Sequence, residues 1–281
     1  MEKKIGALIN DYRQGGIDRR GFLKKLVLYA GSTAAAMAII PAADWSSFQE
    51  SDPDLFTEFI KYQGETGEMK AFLARPKGAK KYPAVIVIHE NRGLVPHIQD
   101  VTRRMAKEGF LSLAPDALSP VGGTPADITN VGELFGKLKP EETTKNFVAA
   151  VKYLKTHPNS NGKVGCTGFC WGGAMTNQVA VNSPDLNAAV PYYGRQPKAE
   201  DVPKIKAPLM AHYAENDQGI NAGIPAFEEA LKNAGIEYQI FSYPGTGHAF
   251  NNDSNPSRYN EAAAKQAWKR TVDFFKEKLK G

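Results

Sequence analysis

From residue 55 onward the chain alternates between two hydrophobic rhythms. Residues 56–62 and 69–75 carry apolar side chains at strand spacing, and the stretch QGETGE between them is rich in turn formers, which predicts a β-hairpin. Residues 84–89, AVIVIH, form a continuous β-branched run, as expected of a strand covered on both faces. Residues 98–108 switch to helical spacing and stop at Gly109, and FLSLAPD (110–116) is the next strand. Residues 119–140 are rich in Gly and Pro and predict an irregular excursion over the surface. A helix over 141–156 then places Phe147, Val148, Val151 and Leu154 on one stripe.

The alternation continues with strands at 163–168, 188–193, 207–214 and 238–243, and with helices at 172–182, 223–234 and 260–279. No internal repeat interrupts it. Such an order predicts an α/β fold with a mostly parallel central sheet flanked by helices on both faces. Active sites in these sheets lie at the carboxyl ends of the strands. The loops that matter therefore follow His89, Gly168, Tyr193, Ala214 and Tyr243.

The N-terminus has a different pattern. Arg19-Arg20 is followed by Gly21, Phe22, Leu23 and Lys24, residues 26–43 carry no charge, and small residues cluster at Ala42-Ala43. A basic region, a short apolar core over 26–40 and small residues make an export signal, and the arginine pair resembles a twin-arginine (Tat) signal for proteins exported already folded. The expected organisation is a leader at 1–43, a linker at 44–56 and one domain at 57–281, in the periplasm or otherwise exported. The alternative is a cytoplasmic protein that retains residues 1–43 as a helix packed on the domain or on a partner. Whether the leader is cleaved, and the oligomeric state, are not encoded legibly.

Charge supports this division. Residues 1–40 hold seven of the 35 basic and three of the 30 acidic groups, a net +4, which leaves only +1 for the rest of the total of +5. The folded domain thus offers no basic excess, and nucleic acid is not an expected partner.

Both cysteines fall in GCTGFCWGG, residues 165–173. Gly168-x-Cys170-x-Gly172 between a strand and a helix is the pattern of a nucleophile elbow with cysteine in the place of serine. The turn is so tight that a side chain two residues either side of the nucleophile would collide. It lifts the sulfur above the sheet and aims the first N–H groups of the helix at the reaction centre. The alternative for Cys170 is a small buried hydrophobe. Cys166, mid-strand, reads as packing. Four strand residues span roughly 13 Å at ~3.3 Å each, beyond the ~7 Å limit for a disulfide. No Cys-x-x-Cys exists and the five histidines are scattered, so neither a metal nor an organic cofactor is expected.

A cysteine nucleophile needs a base and an orienting acid. His248 lies in the Gly-rich loop YPGTGHAF after the last strand, whereas His89, His97, His157 and His212 fit that role less well. Asp217 lies between nucleophile and histidine in chain order, just past strand 207–214, with Glu215 as its rival; Asp185 and Asp201 sit off the strand ends. Glu90, in HENRG, follows the central strand and can face Cys170, where an anion disfavours the thiolate; the alternative is a salt bridge to Arg92. The backbone N–H groups of Asn91 and Trp171 are candidates for an oxyanion hole. Arg92, Tyr193 and Arg195 are candidate substrate contacts, and Trp171 with Tyr192 or Tyr193 would line an apolar acyl pocket.

Together IHENRG, GFCWGG, PYYGR, Asp217 and GTGHAF, in that order, resemble the dienelactone hydrolase family of the α/β-hydrolases over residues 57–280. The resemblance implies an α/β-hydrolase fold and a cysteine that attacks a lactone or ester carbonyl. It also implies hydrolysis of the acyl-enzyme and a glutamate, here Glu90, that contacts the thiol. The family's arginine four residues after the histidine is replaced by Asn252, and the 119–125 loop carries no arginine, so the resemblance does not name the substrate. Three readings stand: a small-molecule ester or lactone hydrolase with a Cys170-His248-Asp217 triad, exported through the Tat machinery; a thiol redox sensor; and a non-catalytic binding domain. Acyl transfer to an acceptor other than water is a variant of the first.

Overall fold

The computed structural model describes residues 4–5, 7–8, 19–30 and 52–281. The chain divides into two compact units, residues 1–53 and 54–281. In the first, helix α1 (Arg19–Ala30) starts at the arginine pair, with Phe22 and Leu26 buried one turn apart and Leu28 exposed. The remainder of the apolar run and the small residues at 42–43 lie outside the described residues. Among the described residues no helix is long and apolar enough to cross a membrane.

The second unit holds an eight-stranded sheet in the order β1-β2-β4-β3-β5-β6-β7-β8. The hairpin β1 (Leu55–Gly64) and β2 (Gly67–Pro76) is antiparallel, and β2 pairs antiparallel with β4 (Leu111–Pro115). From β4 through β3 (Tyr82–Ile88), β5 (Ser160–Phe169), β6 (Ala188–Tyr192), β7 (Leu209–Asn216) and β8 (Tyr238–Gly247) every pairing is parallel. The α/β architecture is thus the expected one.

The β-branched run of β3 explains the two layers. Ala84, Ile86 and Ile88 point into one core, which also contains Phe147 and Leu154 of α4 (Pro140–Thr156), Val179 of α5 (Trp171–Asn182), and Phe227 and Leu231 of α7 (Ile224–Asn233). Val85 and Val87 point into the other, which contains Ile98 and Met105 of α2 (Pro96–Lys107), and Ala267 and Phe275 of α8 (Glu261–Lys278). Successive strand side chains face opposite ways, so a strand buried on both faces must be apolar throughout. Truncating one of the isoleucine, leucine or methionine side chains among them to alanine costs roughly 2–5 kcal/mol.

The helices begin where local chemistry favours it. Pro96 and Pro140 sit at the first positions of α2 and α4, where proline's missing N–H loses nothing. The Asn260 side chain accepts from the N–H of Ala263 (3.1 Å) and caps α8. Three features depart from the sequence reading. The 119–140 excursion contains a 3-10 turn at Ser119–Val121 and a short helix α3 (Val131–Phe135), and a further short helix α6 (Gln218–Asn221) follows Asp217 directly. Strand β8 runs to Gly247, because a register shift between Ala214 and Asn216 lets Asn216 pair with Gly247. That extension carries the backbone up to His248.

Candidate active site

Strand β5 ends at Phe169 and α5 starts at Trp171, so Cys170 alone makes the turn, at φ 56° and ψ −114°. A non-glycine residue held there stores roughly 1–3 kcal/mol of strain. The flanking glycines are sterically required. A Cβ on Gly168 would lie 2.3 Å from the Gly172 carbonyl oxygen, and one on Gly172 would lie 2.4 Å from the carbonyl oxygens of both Ile88 and His89. The N–H of Trp171, first in α5, has no hydrogen-bond acceptor among the described residues, as expected at a helix N-terminus. Both cysteines are free. Cys166 is fully buried 3.8 Å from the Thr176 hydroxyl, and burial pushes its thiol up to about 12. Cys170 is only partly buried.

His248 stands beside this turn. Its Nδ1 lies 2.6 Å from Asp217 Oδ2, which accepts the ring proton. The hydrogen bond with the Cys170 thiol is the largest influence raising the His248 pKa to about 9; partial burial opposes it, and the Asp217 hydrogen bond and charge add to the rise. Among the described residues the only non-glycine residues with positive φ are Cys170, Tyr193 (35°) and Ala249 (68°). All three belong to this site. Tyr193 is buried, and its ring meets His248 edge-on at 5.2 Å. Glu215, the rival acid, is exposed and instead accepts the Gly245 N–H (2.8 Å). Asp185 and Asp201 are held by Lys155 and Lys204.

Glu90 does not pair with Arg92. Its Oε2 accepts a hydrogen bond from the Asn252 side chain (2.6 Å), and its Oε1 is buried with no partner among the described residues. Asn252 is fixed in turn, because its own Oδ1 accepts from the N–H (3.0 Å) and hydroxyl (2.5 Å) of Ser254. The next residue, Asp253, lies 3.0 Å from Arg104, which Asp100 also holds at 2.7 Å, and 3.2 Å from His97. The loop after His248 is thereby tied to α2. Among the described residues the Asn91 N–H has no acceptor. Arg92 and Arg195 are exposed and make neither an ion pair nor a side-chain hydrogen bond among the described residues, so the structure does not draw them onto the site residues.

The expected aromatic lining is only partly there. Tyr192 is wholly buried with its hydroxyl on Thr271 (2.6 Å), which removes it from any pocket. The Trp171 ring turns toward α3 and α4, packing on Phe135 (5.1 Å) and Phe147 (6.3 Å). Two features escaped the sequence reading. Asn252 was visible only as a missing arginine, and its bond to Glu90 spans 162 positions. Phe135 lay in a segment without periodicity. Among the described residues no group of three or more His, Cys, Asp or Glu side chains is placed to hold a metal ion.

Comparison with known proteins agrees with this architecture. A protein of Methylorubrum extorquens named "Putative carboxymethylenebutenolidase" is 33% identical over 262 residues, covering 88% of this chain and 89% of the relative. One of the same name from Escherichia coli K12 is also 33% identical, covering 82% and 90%. The crystal structure of a "Putative Dienelactone Hydrolase" from Klebsiella pneumoniae superposes with a TM-score of 0.72 at 30% identity, covering 79% of this chain and 98% of that one. The Dienelactone hydrolase family profile matches residues 69–279. The chain therefore belongs to the dienelactone hydrolase family and has its α/β-hydrolase fold.

Proposed function

We propose that the protein hydrolyses carboxylic esters or lactones through a thioester on Cys170. The observation that carries this reading is the Cys170 elbow facing a histidine whose far nitrogen is held by Asp217 at 2.6 Å. The names of the relatives support a lactone or ester as the substrate class.

The cycle starts from a Cys170 thiolate beside the His248 imidazolium. The sulfur attacks the acyl carbonyl, and the N–H groups of Asn91 and Trp171 receive the oxyanion. Collapse breaks the ester C–O bond, and His248 gives its proton to the leaving alkoxide. His248, now neutral, takes a proton from water as the water attacks the thioester. Expulsion of the thiolate releases the acid and restores the ion pair. Asp217 holds the ring and its tautomer throughout.

Glu90 also bears on the substrate. One of its oxygens is held by a neutral amide and the other has no partner, so no Lys or Arg among the described residues pairs with it. Arg104 is already shared by two carboxylates, while Arg92 and Arg195 stand in solvent, where screening weakens them. The acyl group is therefore expected to be uncharged. Hydrolysis of p-nitrophenyl hexanoate should exceed that of mono-p-nitrophenyl adipate by about tenfold or more in kcat/KM. Cys170→Ala should abolish both while the protein stays folded. Undiminished hydrolysis in that variant would sink the proposal.

We also infer from Arg19-Arg20 and the uncharged run behind them that the chain is exported in its folded state. Changing Arg19→Lys and Arg20→Lys together should leave the protein inside the cell; unchanged export would overturn this.

A further inference from the structure

His89 has no part in the cycle above, yet it lies between both candidate oxyanion donors. Its ring is fully buried. Nε2 lies 3.1 Å from the backbone nitrogen of Ala117, which can only donate. Nε2 must therefore accept, and the proton of the neutral ring sits on Nδ1. Burial favours that neutral ring by lowering its pKa below the usual value. Nδ1 lies 2.6 Å from the Glu90 carbonyl oxygen and donates to it.

That carbonyl belongs to the same peptide group as the Asn91 N–H. A trans peptide is planar, with its C=O and N–H pointing in opposite directions. Pinning the oxygen against the imidazole therefore aims the N–H the other way, and this N–H has no acceptor among the described residues. A flipped peptide would lose the imidazole bond and turn a carbonyl dipole toward the developing oxyanion. The other face of the argument is packing. The His89 ring stacks on the Trp171 indole at 5.5 Å and 11°, steadying the residue that carries the second donor. Ala117 follows β4, so the ring also fastens the peptide to a neighbouring strand.

We propose that His89 is a positioning residue: by accepting from Ala117 and donating to the Glu90 carbonyl, it holds the Asn91 N–H in the orientation that stabilises the oxyanion. This rests on the acyl-transfer reading of the site. Losing one oxyanion donor costs about 10²–10³ in kcat, and a loosened donor should cost somewhat less.

The test pairs two reactions of the same thiol. p-Nitrophenyl butyrate hydrolysis passes through an oxyanion; alkylation of Cys170 by iodoacetamide does not. His89→Leu should lower kcat for the ester by about 10–100-fold, leave KM within about twofold, and leave the Cys170 alkylation rate near that of the parent. His89→Gln keeps one acceptor and one donor and should restore most of kcat. His89→Asn, whose amide ends at the position of Nδ1, can donate to the Glu90 carbonyl but cannot reach Ala117, and should keep a kcat between those of the leucine and glutamine variants; the Gln–Asn pair decides the matter if the leucine variant does not fold. Parental kcat in the leucine or asparagine variant, loss of alkylation in parallel with hydrolysis, or a folded glutamine variant without recovery would each overturn the assignment. A parent protein that alkylates at Cys170 but turns over no ester would overturn the hydrolase reading as well, a result readily told apart from the others.

Discussion

Two histidines on neighbouring elements occupy opposite electrostatic worlds. His212, on β7, is fully buried with both ring nitrogens on hydroxyls, Tyr243 at 2.9 Å and Thr271 at 3.0 Å. Arg270 reaches the same Tyr243 hydroxyl (3.1 Å), and burial first, then that cation, lowers the His212 pKa to about 3. His248, just past β8, is partly exposed between Cys170 and Asp217, and those neighbours raise it to about 9. One ring is a neutral strut that joins β7, β8 and α8; the other is poised to carry a proton. The residue type is the same in both, so the sign of the surrounding charges and the access to solvent separate structure from chemistry.

The largest expected effect breaks this pair apart by mutation. His248→Ala should lower kcat for a neutral ester by about 10²–10⁴-fold, the usual range for a lost acid-base group, with little change in thermal stability. His212→Leu should do the reverse. It removes one hydrogen bond from each of the Tyr243 and Thr271 hydroxyls, which keep Arg270 and Tyr192 as partners, and should cost about 1–3 kcal/mol of stability by denaturant melting, with kcat of the folded protein nearly unchanged. Equal loss of kcat in the two variants would erase the distinction drawn here.

A smaller effect concerns pH. Proton donation to the leaving group needs the imidazolium, so kcat/KM should fall as pH rises through about 9. Asp217→Asn removes a charge that raises His248 and leaves only a neutral amide acceptor for its Nδ1–H, so it should move that limb to lower pH. A limb that stays in place would show that Asp217 does not set the proton affinity of the ring.

The smallest effect is on stability alone. His212 has its folded pKa depressed, so its contribution is present above about 6.5 and is lost as pH falls toward about 3. His248 has its folded pKa raised, so its contribution is present below about 6.5 and is lost as pH rises through about 9; solvent screening keeps it small. Urea midpoints measured across this range should therefore show an acid slope that flattens in His212→Leu and persists in His248→Ala.

The elbow was legible because its constraint is local. Gly168 is forced by a contact within the turn itself, where its Cβ would lie 2.3 Å from the Gly172 carbonyl oxygen; Gly172 is forced by the end of β3, whose carbonyl oxygens would lie 2.4 Å from its Cβ, but the glycine spacing around the cysteine still marks the turn. The strands were legible because two-sided burial demands uninterrupted apolar runs, as in β3. What could not be read depends on segments far apart in the chain. Arg92 is two positions from Glu90 in the sequence, yet Asn252 captures the carboxylate because the loop after β8 folds back onto the end of β3. Tyr192 and Tyr193 are consecutive, but the strand's alternation and the positive φ at Tyr193 send one to Thr271 and the other to His248. His89 was passed over beside Glu90, since its role depends on the backbone that follows β4.

The most direct test of the account is intact-protein mass spectrometry after brief mixing with p-nitrophenyl butyrate, followed by peptide mapping. The account predicts a transient butyryl adduct on Cys170, none on Cys166, and decay of the adduct at the rate of steady turnover. Turnover without any adduct at Cys170, even when the reaction is quenched within one catalytic cycle, would contradict it.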